Sequence, residues 1–321
     1  PAQEPPAQEP PAQEPPAQEI QLFNILNYND NNQGDKNIID AAINKWESII
    51  TSIPGNTAID VNISFPTFEN DNILGGASVT TFYKIDSQEV LSTSNLSNYN
   101  LGNCIPRSGY IQLNSTNWNL LKQEIREDGN SSAYFVLLHE LGHILGIGSF
   151  WYLNGVKHSV LENNVTKYYY WGENGRQQYK LYFGNTKELP IEDNGGAGTQ
   201  NVHPEEGKES GVSINDRLFD NSIHCDGLDK ELMTGWIDQG DFILPISKIS
   251  IGFLEDIGYS VNYNNSDNYD INLQNIGEQD PFNQLVDIDL HNIKNITFDN
   301  TTWNLYVTDT NNQGGNVNNV N

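Results

Sequence analysis

The chain has 321 residues, of which 36% are apolar and 10% aromatic, and a formal net charge of −26 from 42 acidic and 16 basic side chains. That length allows one large catalytic domain or two small lobes around a sizeable core. The acidity excludes the common modes of nucleic-acid and anionic-membrane binding, which need clustered Lys and Arg, and no apolar run reaches the eighteen or so residues of a membrane span.

Residues 1–19 are near-copies of Pro-Ala-Gln-Glu-Pro, a pattern that reads as a disordered, polyproline-like linker. The chain does not begin with methionine and opens on no signal-peptide pattern, so this end reads as mature or trimmed. Folded sequence starts near Ile20, with strand-like alternation over Gln21–Asn27. A helix follows from about Lys36 to Ser52, with Ile39, Ile43, Trp46 and Ile50 at helical spacing and Pro54-Gly55 as its stop. Strands are expected at Ile59–Phe65, near Ser78–Tyr83 and at Tyr110–Leu113, then a short helix around Trp118–Ile125. Ser131 or Ser132 can cap a further helix from about Ala133 to Leu145. Strands with helices of this kind make an α+β lobe.

Residues 150–230 are rich in Gly, Asn and Tyr without clear periodicity, and long loops are expected there. A helix over about Leu244–Ile257 should end at Gly258. The Asn- and Asp-rich remainder reads as an extension, partly disordered, with possible strands near Leu285–Leu290 and Trp303–Val307. Asparagine supplies roughly one residue in seven, so the Asn-x-Ser/Thr triplets at Asn62, Asn114 and Asn164 arise by chance and say little about secretion. Cys104 and Cys225 allow one disulfide or two thiols. Polar stretches such as Tyr28–Asp35 lack the spacing of a calcium loop.

The chemistry concentrates in His139-Glu140-Leu141-Gly142-His143. Residues four apart on a helix stand one turn above each other, so both imidazoles can reach one metal ion, with Glu140 placed as a general base. The helix is apolar nearly all round, and buried histidines and a glutamate need partners. Gly146 three residues after His143 extends the motif to His-Glu-x-x-His-x-x-Gly. This extension is that of the metzincins, in which the glycine turns the chain toward a third histidine. Ser149 stands at the usual third-ligand position, so that ligand must come from elsewhere among His158, His203, His224 and His291.

The chain resembles the leishmanolysin-type metzincins, whose third histidine follows a long insertion. The resemblance rests on Ala41–Glu47, Leu74–Ala77, Val136–Trp151, Leu189–Glu192, Gly195–Thr199, Glu231–Trp236 and Ile249–Tyr259. It implies a metzincin-like zincin: an N-terminal catalytic lobe over 20–148, made of a twisted sheet and helices including the metal-binding one. An irregular C-terminal lobe over 149–263 with one main helix would follow, and then the extension 264–321. It implies one catalytic Zn2+ held by His139, His143 and a third histidine, with Met233 in the Met-turn beneath the ion. His203 follows the glycine-rich stretch as the family ligand does; His224 lies nine residues before Met233, near the family's ligand-to-Met distance. The implied activity is a zinc-dependent endopeptidase acting on protein or peptide substrates, secreted or held at a surface. Its substrate would lie extended beside the strand near Tyr110–Leu113 in a cleft between the lobes. The alternative is a catalytically silent adhesin or surface-binding module on the same fold, for which an intact Glu140 would be superfluous.

Overall fold

The computed structural model describes residues 20–27, 33–70, 72–93, 102–162, 165–192, 198–206, 227–228, 230–238 and 243–270, and the backbone of 281–287. The repeats at 1–19, His224, Cys225, His291, Trp303–Val307 and the last ten residues lie outside them.

The helical spacing seen near the N-terminus forms α1 (Gln33–Ile49), which turns Ile39, Ala42, Trp46 and Ile49 into the core. It stops before Ser52 because Ile50 leaves the helix for β2 (Ile50–Ser52), pairing with β10 (Ser260–Val261). Alternation makes β3 (Ile59–Ser64) a one-sided strand, with Ile59, Val61 and Ile63 buried. β1 (Phe23–Ile25) runs parallel to it on one side and β6 (Cys104–Leu113) parallel on the other. The twelve-residue β4 (Ile73–Lys84) then pairs antiparallel with β6. Pro106 fits into β6 because pairing with β3 begins only at Ser108, while β4 is irregular between Val79 and Phe82.

β4 is longer than its sequence pattern suggested, since Gly75 and Gly76 interrupt the apolar signal. Its far edge is shared: Thr81–Lys84 pairs with β5 (Glu89–Ser92), and Ile73–Ala77 pairs in parallel with β11 (Pro281–Asp287). β11 also pairs antiparallel with β9 (Trp236–Asp238), so the mixed sheet runs β1-β3-β6-β4-β11-β9. C-terminal residues thus enter a sheet begun by N-terminal ones, across the lobe boundary expected at 148. One apolar cluster likewise spans Leu22 to Tyr259.

Two further helices lean on this sheet. α2 (Ser115–Gln123) is capped by Asn114, which is fully buried, accepts from Thr116 N–H at 3.1 Å and donates to the Ile73 carbonyl at 2.9 Å. Its sequon is therefore spent on structure. Asp35 accepts from Trp118 Nε1 and Lys122 Nζ at 2.8 and 2.9 Å, so its carboxylate ties α1 to α2. α3 (Ser132–Ile144) packs on α1, β4 and β6 with every residue buried.

The region expected to be loops carries regular structure. α4 (Phe150–Leu153) leads into a hairpin of β7 (Lys157–Glu162) and β8 (Val165–Tyr170), followed by α5 (Glu173–Phe183). The helix α5 escaped notice because it buries only Gly175 and Tyr179, too few for an apolar stripe. Its partner is α6 (Lys248–Ile257), capped by Ser247 and ended by Gly258 at φ +121°. Asp256 of α6 accepts from the Asn174 and Gly175 N–H groups at 2.9 Å and from Tyr170 Oη at 2.9 Å, so it caps α5 across the interface. Among the described residues the architecture is α+β, with this mixed sheet and six α-helices, and no helix is long and apolar enough to cross a membrane.

The α5–α6 contact is glycine on glycine: a Cβ on Gly252 would lie 2.8 Å from the backbone N and Cα of Gly175. Backbone cannot swing aside, so Gly252→Ala should cost about 1–3 kcal/mol. A lowered denaturant midpoint with unchanged slope would register it.

Candidate metal centre

The helix α3 presents its polar residues by simple periodicity. Ser131 caps it, accepting from Tyr134 N–H, and His139 and His143 follow one turn apart. At its other end Gly146 takes φ +103°, the Gly146 N–H bonds the His143 carbonyl and the Ile147 N–H bonds the Gly142 carbonyl. This left-handed cap, a Schellman motif, folds the chain back over the helix end. The Ile147 carbonyl then accepts from His143 Nδ1 at 3.0 Å.

Each imidazole of the site is oriented in this way by a different backbone carbonyl. His139 Nδ1 donates to Leu232 O at 2.6 Å, and His203 Nδ1 donates to Thr199 O at 2.9 Å. His203 arrives on the segment 198–206, which is tied to Pro190 and Glu192 by the Glu192 N–H to His203 carbonyl bond and the Glu205 N–H to Pro190 carbonyl bond. The three rings are buried and their Nε2 atoms lie 2.7, 3.0 and 3.3 Å apart. A carbonyl can only accept, so in each neutral ring Nδ1 holds the proton and Nε2 presents a lone pair. Three acceptors therefore converge on one point, an arrangement that repels itself unless a cation lies there. Bonds of 2.0–2.1 Å in a tetrahedral site give N···N edges of roughly 3.3 Å; one observed edge equals that value and the other two, 3.0 and 2.7 Å, are shorter. The histidines are close enough to bind one metal ion.

No family model matches this chain, and no curated protein matches it.

Charge in the site follows from burial. Desolvation first, and then the neighbouring rings, push the His139 and His143 pKa values well below 6.5 despite the carbonyl bonds that oppose this. Burial brings His203 down to about 4. All three are neutral near pH 7, the form a metal ion requires. Glu140, also fully buried, reaches toward β4: a Cβ on Gly75 would stand 2.6 Å from Glu140 Oε1. Met233 lies under the helix, since a Cβ on Gly142 would meet its Sδ at 2.5 Å. Its side chain is buried there.

Other residues singled out from sequence take different places. Ser149 is buried at the N-terminus of α4. His158 is exposed on β7 against Trp171, 5.0 Å between centroids. Cys104 is a free, buried thiol, with its pKa raised by burial to about 11. The strand expected to receive a substrate, Tyr110–Leu113, lies inside the sheet with β3 and β4 on its two edges, so its main chain is already spent. The apolar alternation of β6 looks the same for an edge and a central strand; pairing decides, and the strand beside Glu140 is β4. Reading by residue type also passed over Gly75 as the surface under Glu140. A glycine pair inside a strand signals close approach without saying to what.

The depressed histidines make stability depend on pH. Unfolded imidazoles titrate near 6.5, so between pH 6.5 and about 4 the unfolded chain binds more protons and stability falls with pH. For His203 alone that loss is about 3 kcal/mol; His139 and His143 act in the same direction. Denaturant unfolding of metal-free protein from pH 7 to pH 4 should show the decline, and His203→Ala should make it shallower.

Proposed function

We infer that the chain is a zinc-dependent endopeptidase of metzincin-like architecture, related to the leishmanolysin type it resembles. The observation that carries this reading is the convergence of three acceptor nitrogens beside a buried glutamate on one helix. Three neutral imidazoles, joined among the described residues by no thiolate or carboxylate, suit Zn2+, which leaves a position for substrate. His139, His143 and His203 would hold the ion. A cation so held supplies Lewis-acid chemistry, acidifying water and polarising a carbonyl.

The chain's own residues do the rest. The carboxylate of Glu140, next to His139, accepts a proton from the attacking water and then hands it to the amide nitrogen as the C–N bond breaks. Water's oxygen ends on the acyl product and its two hydrogens are shared between the products, so the step is balanced hydrolysis. Burial keeps bulk water from competing for Glu140. The edge of β4 between Ile73 and Ala77 is paired with the backbone of Pro281–Asp287, so an extended peptide would add a strand there only in place of that segment. Secretion or surface attachment fits the acidic composition, and protein or peptide substrates are the partners this chemistry implies.

Purified protein should contain about one zinc per chain, and Glu140→Gln should retain it while losing cleavage of an unfolded protein by at least 10²-fold. Undiminished cleavage would overturn the mechanism. Zinc binding with no cleavage by the native chain would instead favour a metal-bearing adhesin. Gly75→Ala should displace the Glu140 carboxylate and reduce kcat, with zinc content unchanged, because the clash is with the base and not with a histidine.

A further inference from the structure

The turn 231–235 meets the histidine site at His139, at Gly142 of α3 and at His203, and one buried carboxylate holds it. Leu232 supplies the carbonyl that orients His139. Met233 fills the space against Gly142 of α3, and a Cβ on Gly235 would stand 3.4 Å from His203 Nδ1. Glu231 begins this turn and is fully buried. Its Oε2 accepts the Met233 N–H at 2.6 Å, and its Oε1 accepts the Ser247 N–H at 2.8 Å. The Ser247 side chain, which caps α6, opposes the upward pull of burial on the Glu231 pKa. Its own carbonyl accepts from the Thr234 N–H at 3.2 Å and hydroxyl at 2.9 Å, while the Leu232 N–H bonds the Pro245 carbonyl at 3.0 Å.

A buried carboxylate is costly, since desolvation disfavours its charge. An apolar side chain at this position would fill the space more cheaply but would leave the Met233 and Ser247 N–H groups unsatisfied. Glu231 does what such a residue cannot: one rigid acceptor fork pins the turn to the N-terminus of α6 on one side and to its own main chain on the other. The peptide plane between the two pinned points is that of Leu232, whose carbonyl faces His139. Rotation of that plane would remove the acceptor that keeps the His139 proton on Nδ1, and with it the guarantee that Nε2 faces the site as a lone pair.

We propose that Glu231 is a positioning residue of the metal centre, fixing the tautomer and ring orientation of His139 through the Leu232 carbonyl. The inference rests on the metal reading of the three histidines and not on peptidase activity. Glu231→Gln keeps size and one acceptor but turns an N–H2 toward a backbone N–H. It should weaken Zn2+ binding, measured against a chromophoric chelator, by about tenfold to a hundredfold. In metal-free protein, long-range 1H–15N correlation should show His139 as the Nδ1–H form in the native chain and as a mixture in the variant. Asp35→Ala, which removes the acceptor shared by Trp118 and Lys122 and leaves α6 intact, serves as the comparison for lost stability and should leave both readouts unchanged. If Glu231→Gln loses stability but keeps native zinc affinity and the native His139 tautomer, Glu231 acts on folding alone and the proposal fails. Should that variant not fold, Glu231→Asp keeps the charge, shortens the reach and carries the same comparison; failure of both to fold overturns the proposal too. A chain that binds zinc but cleaves nothing leaves this test intact. If native protein binds no zinc, the tautomer measurement still decides the role of Glu231.

Discussion

Three lone pairs brought within 3.3 Å of one another in a buried interior are the constraint around which this molecule is arranged. Such a cluster is unfavourable by itself, and it persists because three main-chain carbonyls each hold one ring by its other nitrogen. These carbonyls come from the cap that ends α3, from the turn 231–235, and from the segment 198–206. Each is secured in turn by ordinary local chemistry: a left-handed glycine, a buried glutamate fork, and a short ladder to residues 190–192. The site is therefore a property of backbone placement as much as of the residues that line it.

The rest of the fold serves that placement. α3 is buried on all sides, clamped by Trp46 of α1, whose indole N–H bonds the Leu138 carbonyl at 2.9 Å. Gly109 of β6 lets Ile144 close on the sheet, Gly142 admits Met233, and Gly75 admits Glu140. In each case a missing Cβ is what permits the approach. The C-terminal half contributes through the close α5–α6 pair, because α6 offers its N-terminus to Glu231 and its Asp256 to α5.

Periodicity and motif spacing determined a good deal by themselves. α1, β3, α3 and α6, with their caps at Ser131 and Gly258, follow from apolar spacing and turn chemistry acting over a few residues. So does the pairing of His139 with His143, since both lie on one helix at a fixed rise. The helix α5, the hairpin β7–β8 and the length of β4 were not legible. Their stability comes from contacts with distant partners: Gly175 against Gly252, or Gly75 beneath Glu140.

The same division holds at the site. Spacing excluded Ser149 from the compact ligand pattern but left four histidines as candidates for the third position. Tertiary structure brought His203 to the pair and left His158 exposed on the hairpin, because a loop histidine's place depends on what its flanking main chain bonds to. The strand that faces Glu140 was likewise decided by pairing: β6 is enclosed by β3 and β4, and no alternation pattern carries that information. Local sequence determines which residues share a helix face; only the closure of distant segments, bond by bond, determines which of them meet.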